Sequence, residues 1–93
     1  MKYITEKIKC LDKRGYNMSL SNYFDNVIDL YDAVENSGSV QQLEHEVNEV
    51  SSYLVWKNNR DTDNYTRLKA SGPIGNEYYL YVYKDLSSSQ KSA

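Results

Sequence analysis

The chain has 93 residues, 40% of them apolar and 26% charged, which fits one globular domain and excludes both a disordered chain and a two-domain protein. No apolar run is long enough for a transmembrane helix, and the charges scattered through MKYITEKIKC do not read as a signal peptide. The net charge of −2 hides a segregation: Gly15 to Trp56 contains no Lys or Arg and carries −7, while the two flanks together carry +5.

Residues 3–11 read as a strand, with Ile4, Ile8 and Cys10 on one side and Tyr3, Thr5, Lys7 and Lys9 on the other. Asp12-Lys13-Arg14-Gly15 reads as a turn. Tyr16, Met18 and Leu20 then alternate with Asn17 and Ser19, giving a second strand and an N-terminal hairpin.

The first helix is expected after a cap at Ser21 or Asn22, with Phe24, Val27, Ile28, Tyr31 and Val34 at helical spacing. Asp25, Asp29 and Asp32 line another face, and Asn36-Ser37-Gly38 ends the helix. The second helix is expected from a cap at Ser39, with Gln42 in capping-box register. Its buried stripe is Val40, Leu43, Val47 and Val50. A switch to strand is expected near Ser51 or Ser52, because Tyr53-Leu54-Val55-Trp56 is rich in strand formers.

Asn58 to Asn64 reads as a polar loop. Tyr65 to Ala70 and Glu77 to Leu86 read as strands joined by the hairpin loop Ser71-Gly72-Pro73-Ile74-Gly75. The expected fold is α+β: a small antiparallel sheet with two helices packed on one face, in the order β-β-α-α-β-β-β. It forms a single domain over residues 1–86, followed by a flexible polar tail over 87–93.

Catalytic and metal chemistry finds little to work with. The one histidine, His45, sits among glutamates one turn before Glu49 and reads as a surface residue. The one cysteine, Cys10, reads as a small core residue; it has no disulfide partner, which with no export signal points to a cytoplasmic location. The sequons at Asn17 and Asn64 then carry no meaning. Zinc prefers several Cys or His ligands, and only these two candidates exist, far apart in sequence. Asp61-Thr62-Asp63-Asn64 starts like a calcium loop, but Thr66 and Gly72 stand where glycine and glutamate are needed. No Gly-rich phosphate loop is present. The expectation is a non-enzyme without cofactor or metal.

Two surface features stand out. Tyrosine accounts for ten residues. Strict alternation puts Tyr79, Tyr81 and Tyr83 on one face of the last strand, with Leu80 and Val82 on the other. It also puts Tyr65, Arg67 and Lys69 together, opposite Thr66, Leu68 and Ala70. Tyr3, Lys7 and Lys9 extend this face if the first strand joins the sheet. Such a face stacks bases and neutralises phosphates, suits protein contact, or merely pairs tyrosines across strands. A dimer through it, or through an exposed strand edge, is compatible with the sequence.

The second feature is acidic: Asp25, Asp29 and Asp32, then Glu44, Glu46 and Glu49 on the next helix. No basic residue relieves them, so a protein partner with a basic surface would. In size, tyrosine and acid content, and absence of catalytic residues, the chain resembles small phage-encoded inhibitors of host defence, anti-CRISPR proteins among them. That resemblance covers no alignable segment and transfers no residues. It implies a viral inhibitor acting in the host cytoplasm by occluding a basic site. The first expectation is therefore a protein-binding module using the acidic helices, and the alternative is a nucleic-acid-binding domain using the tyrosine-basic face.

Overall fold

The computed structural model describes residues 2–85; Leu86 and the tail expected over 87–93 lie outside them. Along the chain come β1 (Lys9–Asp12), β2 (Asn17–Met18), α1 (Val27–Glu35), α2 (Val40–Val50), β3 (Lys57–Asp61), β4 (Tyr65–Ser71) and β5 (Glu77–Tyr83). The strands form one antiparallel sheet in the order β2-β1-β5-β4-β3. The α+β class and the element order are those expected, apart from short 3-10 turns at Leu20–Asn22 and Pro73–Gly75.

The first hairpin turns on Asp12. Its Oδ1 accepts the amide protons of Arg14 at 2.9 Å and Tyr16 at 3.0 Å, and Gly15 supplies the positive φ of 90°. The second strand is shorter than Tyr16–Leu20, because the chain enters the 3-10 turn at Leu20.

The cap of α1 is Asn26, not Ser21 or Asn22: its side chain accepts from the amides of Ile28 and Asp29. Phe24 therefore lies ahead of the helix, though still in the core at 0% exposure. The inward arc is Leu30, Ala33 and Val34, whereas Ile28 and Tyr31 point outward. The helix α2 starts as expected. Ser39 Oγ accepts from the Gln42 amide at 3.1 Å, and Gln42 Oε1 accepts from the Gly38 amide at 2.9 Å. The chain leaves helical geometry at Ser51.

Instead of a strand, the chain bends at Ser52 and Tyr53, and Leu54 to Trp56 join no ladder. Leu54 and Trp56 turn into the core, while Tyr53 and Val55 face out. Ladder pairing begins at Lys57, so the segment read as a polar loop from Asn58 contains the edge strand β3. Every residue of β3 is exposed.

The first strand also begins later than residue 3. Thr5 to Lys7 form a bend and turn, and Tyr3 makes an isolated bridge to Lys84 while Lys9 pairs with Tyr81. This odd-numbered slip reverses the facing of the segment before the turn. Tyr3 goes inward, and its hydroxyl lies 2.8 Å from Thr66 Oγ1. Thr66 spends its single proton on Asp61 Oδ1 at 2.7 Å, so Tyr3 is the donor. Lys84 Nζ completes the chain at 2.9 Å from Asp61 and donates to the Thr62 carbonyl.

The core lies between the helices and the inner sheet face. Leu30, Val34, Leu43 and Val47 meet Cys10, Leu68, Leu80 and Val82, with Trp56 stacked on Phe24 at 5.8 Å. Each such large side chain contributes about 1.5–3 kcal/mol by leaving water. The opposite sheet face is covered by no described element.

Candidate binding face of the sheet

Register decides what the uncovered face displays. Lys9, Tyr81, Arg67 and Arg60 form one row across β1, β5, β4 and β3; Leu11, Tyr79, Lys69 and Lys57 form the next. Tyr83 opposite Tyr65 begins a third. All six residues expected on this face—Tyr65, Arg67, Lys69, Tyr79, Tyr81 and Tyr83—are brought together, and all are partly exposed. Lys9 joins them. Tyr3 does not, being buried, and Lys7 lies in the turn.

The rings hold one another. Tyr65 lies 5.3 Å from Tyr81 and 5.8 Å from Tyr83, both tilted. The Arg67 guanidinium sits 5.0 Å from the Tyr79 ring centre and 5.7 Å from that of Tyr81, and donates to the Tyr81 hydroxyl. Its Nε donates to Asn59 Oδ1 at 2.8 Å. Lys69 pairs with Glu77 at 3.3 Å, and the Tyr79 hydroxyl donates to the same carboxylate. Together with Tyr79, Lys69 holds the Glu77 carboxyl below the usual glutamate range. Lys9, Lys57, Arg60 and Arg67 make no salt bridge within the described residues.

The contributions of Lys57, Asn59 and Arg60 escaped the sequence, because β3 buries nothing and has no apolar period. A bulge between Asn58 and Arg60 aligns Arg60 with Arg67, so the edge strand adds two cations to the face.

No protein-family model matches the chain, and neither a curated protein nor a solved structure matches it.

The acidic residues are less unified. Asp25 precedes α1 and accepts from Ser52 Oγ at 2.9 Å. Asp29 lies in the first turn of α1, where a carboxylate complements the helix dipole. Glu44 Oε2 accepts the Asn58 amide proton, and Glu49 meets His45 at 3.3 Å on the surface. Glu44 and Glu46 fall on opposite flanks of the buried stripe of α2, roughly 160° apart at 100° per residue. Of these six, Asp32 and Glu46 have no such tie among the described residues.

Cys10 is buried, and burial, helped by the charge of Asp12, pushes its thiol up to about 12. Among the described residues no group of three or more His, Cys, Asp or Glu side chains is placed to hold a metal ion. No described helix is long and apolar enough to cross a membrane.

Proposed function

We propose that this protein is a non-catalytic module that binds single-stranded nucleic acid on the outer face of its sheet. The observation that supports it is the row-by-row placement of tyrosines beside Lys9, Lys57, Arg60 and Arg67, on a face covered by no described element. Bases stack on aromatic rings whatever their sequence, and cations along the same rows take the phosphates. The acidic helices lie behind the sheet, so charge segregation turns the basic face toward an approaching polyanion.

A second reading keeps the acidic helices as the contact surface for a basic protein, as an inhibitor occluding a nucleic-acid groove would use them. The charge of −7 between Gly15 and Trp56 favours it. It is the weaker one because Asp25 and Glu44 already serve the fold.

Fluorescence anisotropy with labelled single-stranded oligonucleotides over a salt series separates the two. The sheet reading expects log affinity to fall linearly with log salt, with each of Lys9→Gln, Lys57→Gln and Arg60→Gln reducing the slope by about 0.7. Tyr83→Ala is expected to cost about 1–3 kcal/mol of binding. No binding at low salt would overturn the sheet reading and leave the acidic surface.

A further inference from the structure

At the corner where β3 and β4 meet the segment leading out of α2, the outer face deepens into an open cleft of about 480 Å³. Tyr53, Val55, Lys57, Asn59, Lys69 and Ser71 line it, and no carboxylate does. Its volume falls within the usual range for small-ligand sites, about 300–1,000 Å³.

Three details make this more than a surface dent. Tyr53 and Val55 are 63% and 65% exposed, although the residues between and after them, Leu54 and Trp56, are anchored in the core. The fold gains little from two large apolar side chains held outward on so fixed a segment. Second, the Tyr53 ring leans on Tyr23 at 6.5 Å, tilted by 43°, and its side chain lines the cleft. Third, the Asn59 amide has a determined orientation. An arginine can only donate, so the oxygen of Asn59 must face Arg67 and its Nδ2 is left as a donor with no partner among the described residues.

We infer that this cleft is a base-reading subsite: one unpaired base leaves the tyrosine rows, stacks on Tyr53, and presents an acceptor on its edge to Asn59 Nδ2. This rests on the nucleic-acid reading above. Lys57 meets the adjoining phosphate, and the absence of acid in the lining fits a polyanion. The tyrosine rows alone are indifferent to sequence; an oriented amide supplies discrimination by hydrogen bonding to a base edge.

The test uses the full chain and short single-stranded homopolymers of each of the four bases at one salt concentration. The wild-type protein is expected to prefer some bases over others. Tyr53→Ala should lose affinity about five-fold or more for the preferred homopolymer, with the salt slope unchanged because no charge is removed. Asn59→Asp keeps an oxygen for Arg67 but exchanges the donor for an acceptor. It should move the preference toward bases with an exocyclic amino group, read as a ratio between homopolymers rather than as affinity. Circular dichroism confirms that each variant is folded. Equal binding of all homopolymers by the wild type, or an unchanged preference in folded Tyr53→Ala and Asn59→Asp, overturns the subsite while leaving the platform standing. Failure of every homopolymer to bind at low salt overturns both.

Discussion

Ile74, at the tip of the β4–β5 hairpin, has φ +60° and ψ +35° and is 97% exposed. A β-branched side chain in the left-handed region crowds its own backbone, at a cost of order 1–3 kcal/mol. The turn nevertheless holds, because the Gly72 amide donates to Asn76 O at 2.8 Å and the Asn76 amide to Pro73 O at 3.3 Å. Gly72 is required just before it: a Cβ there would stand 2.8 Å from the Tyr78 ring. Ile74→Gly relieves the strain and gives back part of it as unfolded-chain entropy. The expected result is a gain of about 1 kcal/mol, seen in a thermal melt as a rise of about 4–8 °C.

At the scale of elements, α2 caps the entry to the edge strand β3. Asn48 Nδ2 donates to the carbonyls of Glu44 and Trp56, both at 2.7 Å, and its Oδ1 accepts from the Trp56 amide at 2.7 Å. Glu44, one turn earlier, takes the Asn58 amide. These two side chains satisfy backbone groups at the start of β3 that would otherwise template pairing with another chain. Asn48→Ala strands both polar groups of Trp56 and is expected to cost about 2–3 kcal/mol, measured as a fall in the urea midpoint. What the sequence revealed follows the same logic of burial. Tyr65 to Ser71 and Glu77 to Tyr83 were legible because each buries alternate residues against the helices. Lys57 to Asp61 was not, because a strand wholly exposed leaves no apolar period, and with it went Lys57, Asn59 and Arg60 of the binding face. In α1 the apolar Ile28 and Tyr31 stand outside the buried arc and pulled the expected face round by about a quarter turn. The inward facing of Tyr3 was hidden by the turn over Thr5 to Lys7, which no local pattern announces.

At the scale of the molecule, electrostatics ties the fold to pH. Burial pushes the Asp61 carboxyl up, but the hydrogen bonds from Lys84 and Thr66 outweigh it and the group ends below the usual aspartate range. Glu77 lies below its own range through Lys69. A carboxylate whose folded value is depressed gives stability that is complete above its unfolded value, about pH 4, and lost as pH falls through the folded value. The melting temperature is therefore expected to hold level from pH 7 to about 5 and to fall below about 4. Lys84→Met lets the folded Asp61 return toward its ordinary value, so the acid-induced fall should be shallower than in the wild type, although the variant starts from a lower melting temperature.

The strand order has a consequence in time. Because β5 lies between β1 and β4, the first strand made finds its central partner only when the final described strand has been synthesised. Until Tyr83 has cleared the ribosome, the helices can form but have half a floor to rest on, and the binding rows do not yet exist. A closure between residues so far apart in sequence is slow by its nature. The nascent chain therefore passes through a stage in which its apolar helix stripes lack much of their cover.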